Sequence, residues 1–275
     1  MPSLQTRARV HVTTISDRCE LAPGVVLLGL HAPDLGKAAR PGQFLMAIPP
    51  SGAAAAVALG IYEARADRAS ILFFVCGKRT SELSTLRVGD TLACSGPLGN
   101  GFDLSANPRD VAIVAGGAGI ASALLPAEAL IAAGARVRLY YGARTQALLV
   151  DAQRFADAGC ELHAATDDGS AGRRGYITEL LEQAQDRPDM VLACGPTPML
   201  RAVADVARRF GIRAQLSLEE TFACGVGGCW GCVVPLTAES AQAPNFPRED
   251  RGGSDVVFAR VCKEGPVFWA DELRW

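Results

Sequence analysis

The chain has 275 residues, enough for two or three small domains with a proper core. Its 27 basic and 29 acidic residues are mixed along the chain and leave a formal charge of -2, which excludes the basic stripe of a nucleic-acid binder. Nine cysteines are too few for a disulfide scaffold, and their odd number points to thiols or metal ligands in a cytoplasmic protein.

The opening stretch, MPSLQTRARVHVTTISDRCEL, is polar and strand-like and lacks the apolar run of a secretory signal. Six short runs follow up to about Asn107: ARVHVTTI, GVVLLGLHA, GQFLMAIP, LGIYEA, SILFFVC and DTLACSGPL. Strands at this spacing, with turn residues between them, predict a small antiparallel β-barrel over 1–107. Within it SELSTL predicts one short helix capped by Ser81. Just before it, Gly77, Lys78, Arg79 and Thr80 offer N–H groups and positive charge to a phosphate, although an exposed surface turn reads the same way. GPLGNGF, from Gly96 to Phe102, predicts a structural hinge.

From 108 to 215 the pattern changes to VAIVA, SALLPAEALIAAG, RVRLYYGA, ELHAATD, YITELLEQA, MVLACG and PMLRAVADVARRFG. Strands alternating with helices predict a doubly wound parallel sheet, whose ligands lie beyond the carboxyl ends of its strands. The apolar run from Val111 to Ala135 is long enough to span a bilayer, but Gly116, Gly117, Gly119 and Pro126 interrupt it. Its β-branched start fits a buried strand, a glycine turn and a helix, so no membrane span is expected. The three glycines fall where a dinucleotide pyrophosphate would meet helix N–H groups, while a tight turn alone also needs glycine. In ACGPTPML, Cys194, Gly195 and Pro196 end a strand and Pro198 is set to begin a helix. The Cys194 thiol suits either a nicotinamide contact or simple packing.

Residues 216–275 have little periodicity but carry the densest chemistry. Cys224, Cys229 and Cys232 follow C-x4-C-x2-C, and Cys262 comes after 29 intervening residues, the plant-type spacing for a 2Fe-2S cluster. Gly225, Gly227, Gly228 and Gly231 would let backbone N–H groups approach the sulfurs. Structural zinc shares four thiolates but usually presents two short knuckles, and only Cys229 and Cys232 form one here. Glu219 and Glu220 either tune a cluster's charge or form a solvated pair. Cys19, Cys76, Cys94 and Cys160 are expected to be small buried residues, and His11, His31 and His163 have no metal-ligand spacing.

Barrel, GPLGNGF, AGGAGIA, ATDDGSAGRRGYIT, CGPTPML, CGVGGCWGCVVPL and RVCKEGPVF together resemble the electron-transfer subunits of class 1B dihydroorotate dehydrogenase, within the ferredoxin reductase superfamily. The likeness covers nearly the whole chain. It implies FAD on the barrel, NAD(H) or NADP(H) on the parallel sheet and a 2Fe-2S cluster on the C-terminal module. It further implies an oxidoreductase subunit that exchanges electrons with an FMN-containing catalytic partner. By the same resemblance Cys224, Cys229, Cys232 and Cys262 match the cluster ligands, Arg79 and Thr80 a flavin-contact segment, and Leu72, Phe73 and Phe74 a strand beside the flavin. One departure is serious: where the family carries Arg-Pro-aromatic-Ser/Thr, this chain has Val57, Ala58, Leu59 and Gly60. Three outcomes stay open, namely FAD held by backbone groups and Arg79, weaker binding, or a flavin-poor, cluster-bearing docking subunit. The long insertion between Cys232 and Cys262 is expected to face the partner. Arg144, Arg173 and Arg174 suit either a 2'-phosphate or water.

Overall fold

The structure, a computed structural model, describes residues 9–52, 55–237, 240 and 256–275. Strands β1 (Arg9–Ala22), β2 (Val25–His31), β3 (Phe44–Ile48), β4 (Val57–Arg65), β5 (Arg68–Phe74) and β6 (Thr91–Leu98) close into an antiparallel barrel in the order β1-β2-β5-β4-β3-β6. Closure leaves no open edge for another chain to extend. Ile15, Leu28, Leu30, Leu45, Ile61 and Ile71 fill the interior. Helix α1 (Pro33–Ala38) follows β2, and α2 (Lys78–Ser84) follows β5.

Two expectations need correction here. Helix α2 starts at Lys78, and Ser81 lies inside it. Thr80 Oγ1 accepts the N–H groups of Cys76 and Gly77 at 3.0 and 3.2 Å, which closes the turn one step earlier than a Ser81 cap would. Cys94 and Cys160 are buried, but Cys19 and Cys76 are exposed. A register shift between Ile15 and Asp17 breaks the in-out alternation of β1 ahead of Cys19, and Cys76 lies in the turn before α2.

A second sheet follows. Strands β7 (Asp110–Gly116), β8 (Arg136–Ala143), β9 (Glu161–Thr166), β10 (Arg173–Arg174), β11 (Met190–Cys194) and β12 (Arg213–Ser217) run parallel. They are covered by α3 (Leu124–Ala132), α4 (Ala152–Ala158), α5 (Ile177–Gln183) and α6 (Thr197–Phe210). Alternate residues of β7 pack on opposite faces: Ala112 and Val114 join the core with α5 and α6, and Val111, Ile113 and Ala115 join that with α3 and α4. Burial on both faces explains why VAIVA and MVLAC read as unbroken apolar runs. The run from Val111 to Ala135 becomes β7, a 3-10 turn at Gly117–Ser122 and α3, and no helix among the described residues is long and apolar enough to cross a membrane.

Beyond β12 the chain forms a two-stranded ribbon, β13 (Val233–Thr237) with β14 (Val256–Arg260), and then β15 (Val267–Trp269). Strand β15 lies antiparallel to β12, so the last segment of the chain supplies the seventh strand of the sheet, ordered β10-β9-β8-β7-β11-β12-β15. Most of the insertion expected to face a partner lies outside the described residues.

Candidate cofactor crevice and cysteine cluster

Strand order reverses between β7 and β11, since β8 and β9 continue from one side of β7 and β12 from the far side of β11. A crevice opens beyond the carboxyl ends of strands at such a point, and ligands bind there. Gly116, Gly117 and Gly119 lie at one lip, and Cys194, Gly195 and Pro196 at the other. The lips nearly touch, because a Cβ at Gly119 would lie 2.0 Å from the Cys194 carbonyl oxygen. Gly117 is different. It has a positive φ of 50° and nothing within 4 Å of its missing Cβ, so its backbone faces open space where a diphosphate has room.

Cys194 is buried at the end of β11, beside the crevice. Burial pushes its thiol up to about 12, the charge of Glu219 adds to this, and hydrogen bonds to Ser122 and Ser217 offset part of it. The thiol is therefore neutral near pH 7, a packing and positioning group rather than a nucleophile. Glu219 is accessible at its edge yet crowded by protein, and that desolvation raises its carboxyl above the ordinary range. Ser217 belongs to no motif, and Ser122, at the end of AGGAGIAS, carried no signal of its own beside the glycines. Only the alignment of neighbouring strand ends brings them to Cys194.

On the barrel side, β4 presents Val57, Ala58, Leu59 and Gly60, and β5 presents Leu72, Phe73 and Phe74. Leu59, Leu72 and Phe73 are buried, whereas Val57, Ala58, Gly60 and Phe74 are partly open. Arg79 reaches from α2 across to the start of β4 and donates from Nη1 to the Ala56 carbonyl at 2.9 Å. It has no carboxylate partner among the described residues, and a guanidinium carries five donors, so it fits a phosphate. The Thr80 hydroxyl is already committed to its own turn, where it also donates to the Gly77 carbonyl.

The cysteine loop rests on the same wall of the barrel. Phe222 packs on Phe44 with the rings tilted by 51° and their centroids 5.0 Å apart, and a Cβ at Gly225 would collide with Met46 Cγ at 2.5 Å. Met46 pairs with Ala58 across β3 and β4, so the segment 57–60 lies one strand from the loop. Gly225 and Gly227 have positive φ values of 69° and 81°, a left-handed backbone that disfavours any side chain. Gly228 donates its N–H to Cys224 Sγ at 3.2 Å, and Cys262 donates its N–H to Cys232 Sγ at 3.4 Å.

The four sulfurs fall into two pairs, Cys224 with Cys229 and Cys232 with Cys262, each joined by a side-chain hydrogen bond. Burial alone would push the Cys224 thiol up, but the N–H groups of Val226, Cys229 and Gly228 and the Cys229 side chain outweigh it and bring it down to about 6. Burial and the neighbouring Cys232 push Cys262 up to about 12. Among the described residues no trio of His, Cys, Asp and Glu side chains is gathered tightly enough for one metal ion. Two pairs of thiols with backbone donors fit a binuclear iron-sulfur cluster, which takes two ligands on each iron. The buried Arg260 holds the loop from behind, with Nη1 on the Gly227 carbonyl at 2.7 Å and its other nitrogens on Glu264.

Of the arginines considered for a 2'-phosphate, Arg173 is bound to Glu179 at 2.8 Å and Gln183 at 2.5 Å. Arg144 and Arg174 remain exposed beside the turn in which Ser170 Oγ donates to Asp168 and accepts the Gln146 N–H.

Known proteins agree with this geometry. A family model described as an oxidoreductase NAD-binding domain matches residues 113–205. The electron transfer subunit of dihydroorotate dehydrogenase B (NAD(+)) from Caldanaerobacter subterraneus subsp. tengcongensis is 37% identical over 238 residues, covering 86% of this chain and 88% of its own. The subunit of the same name from Geobacillus kaustophilus is 39% identical over 207 residues, covering 74% and 73%. Among solved structures, an NADH-dependent reduced ferredoxin-NADP oxidoreductase superposes with a TM-score of 0.80 at 28% identity, over 96% of this chain and 90% of that one. The ferredoxin reductase of carbazole 1,9a-dioxygenase, at 20% identity and a TM-score of 0.66 over 77% and 68%, shares the fold. With a barrel, a nucleotide-type crevice and paired thiols along one polypeptide, the chain belongs to the family of the electron transfer subunits of dihydroorotate dehydrogenase B.

Proposed function

We propose that this oxidoreductase subunit takes NADH at the β7/β11 crevice, holds FAD against β4 and β5, and carries a 2Fe-2S cluster on Cys224, Cys229, Cys232 and Cys262. Its partner is an FMN-containing catalytic subunit, and both work in the cytoplasm, a reading that the nine free thiols support. The single observation that carries the proposal is the pairing of the four thiols under backbone N–H groups, one strand from the segment 57–60.

When bound, a flavin accepts a hydride and releases electrons singly, and an iron pair takes one electron at a time. The chain's own groups supply position. Gly117 leaves room for the pyrophosphate, and Arg79 offers charge to the flavin's phosphates. The neutral Cys194 thiol closes the nicotinamide end without competing for the hydride's acceptor. Strands β3 and β4 set a fixed path from flavin to cluster through Ala58, Met46 and Gly225.

Reduced protein is expected to give a cluster EPR signal with two irons per chain. Cys262→Ser should abolish that signal, while Cys76→Ser, at an exposed thiol of a turn, should leave it intact. A chain without iron and sulfide after anaerobic purification would refute the proposal. The bare segment Val57–Gly60 favours one second reading, a flavin-poor docking subunit. Stoichiometric FAD that NADH bleaches would eliminate that reading, and its absence beside an intact cluster would establish it.

A further inference from the structure

Ser122 ends the 3-10 turn after β7, on the sheet's side of the crevice. Opposite it, Gly60 of β4 carries no side chain, and a Cβ there would lie 2.7 Å from Ser122 Oγ. The hydroxyl thus fills the space that a side chain at position 60 would take. Ser122 and Ser217 both lie close enough to the Cys194 thiol to offset part of the upward push of burial on it. The turn after β7 and the ends of β11 and β12 therefore bring hydroxyl, thiol and hydroxyl near one another, with Ser122 against the barrel.

Packing alone does not call for a hydroxyl at this junction. A thiol is a weak hydrogen-bond partner, so Cys194 satisfies Ser122 poorly, and an alanine would fill the contact with less desolvation cost. A half-buried hydroxyl with strong bonding capacity left over, at the switch point of a nucleotide-type sheet, has a use only when a ligand is present.

We propose that Ser122 is a positioning residue for the nicotinamide end of the crevice: it aligns the Cys194 thiol from the sheet and supplies, over the bare Cα of Gly60, the hydroxyl that the barrel strand does not carry. The inference rests on the reading that NAD(H) binds in this crevice.

The test uses the full chain, titrated with NAD+ by calorimetry, with alkylation of Cys194 by N-ethylmaleimide followed by peptide mass spectrometry. Ser122→Ala is expected to weaken NAD+ about fivefold, the effect of one lost hydrogen bond, and to speed Cys194 alkylation several-fold. Ser122→Thr, which keeps the hydroxyl, is expected to stay near the parent. Gly60→Ser alone is expected to bind no better than Ser122→Ala, since its Cβ would meet Ser122 Oγ at 2.7 Å. Gly60→Ser combined with Ser122→Gly moves the hydroxyl to the barrel and is expected to recover binding to within about twofold of the parent, the signature of a coupled pair. Equal NAD+ affinity and equal alkylation in Ser122→Ala and the parent would overturn the inference. A double variant that melts like the parent but binds like Ser122→Ala would overturn it too. A parent that binds no NAD+ would instead sink the nicotinamide reading beneath it.

Discussion

A methyl group at position 119 would come within 2.0 Å of the Cys194 carbonyl oxygen and 2.4 Å of its carbon. Both are backbone atoms of a central strand, so neither can give way without moving β11. Gly119→Ala is therefore expected to cost about 3 kcal/mol or more, at the upper end of what overpacking does. A lower urea midpoint, together with lost NAD+ binding, would register it. Gly117→Ala makes a sharp contrast, because its Cβ meets nothing and its cost is limited to the backbone strain of a positive φ. The two glycines look alike in AGGAGIAS. One is a matter of packing and the other of room, and no local pattern distinguishes them.

At the level of elements, the segment between barrel and sheet is a clasp. The Asp103 N–H donates to Gln215 Oε1 at 2.7 Å, and Gln215 Nε2 donates back to the Asp103 carbonyl at 2.8 Å, which ties the connection to β12. The Asp103 carboxylate accepts the Ser105 N–H at 3.0 Å, and hydrogen bonding to Ser105 holds it below its ordinary value of 3.8. A carboxyl depressed in the folded state stabilises fully above the unfolded value and loses that contribution as pH falls through the folded one. Asp103→Asn should thus flatten the acid limb of stability below about pH 4 and leave its slope near neutrality unchanged, as urea midpoints across pH 2.5–7 would reveal.

The clasp also marks the limit of what the sequence tells. Strands β1 to β9 and β11 were legible because each is a run of β-branched or alternating residues bounded by turn formers, and the cysteine block because its spacing is chemical rather than conformational. Strand β15 was not. Three residues, Val267–Trp269, carry no period of their own, and their pairing with β12 depends on a tail returning from some fifty positions away in sequence. Likewise, the Ser122–Cys194–Ser217 row exists only because sheet order brings β7, β11 and β12 side by side.

For the molecule as a whole, barrel and sheet are joined on one side by a polar seam. Tyr62, fully buried, donates its hydroxyl to Asp151 at 2.5 Å, Arg154 bonds Glu63, and Arg65 bonds Glu128. Burial and the Asp151 carboxylate raise the Tyr62 phenol well above its usual range, so it remains a donor at every physiological pH. Tyr62→Phe removes one partner and strands a carboxylate oxygen, which should cost about 1–3 kcal/mol without lowering iron content. A drop in iron content would mean that seam and cluster are coupled. They meet the barrel at different strands, β4 for the seam and β3 for the loop, which argues for independence.

The return of β15 to the sheet also orders events in time. Cys262 is followed within five residues by the strand that covers β12, and the Gly265 carbonyl between them accepts the Asn100 N–H at 2.5 Å. On a ribosome, then, the open flank of the nucleotide layer and the proposed fourth ligand, Cys262, wait for the same late stretch of peptide. A chain released before that stretch lacks β15 and Cys262 alike.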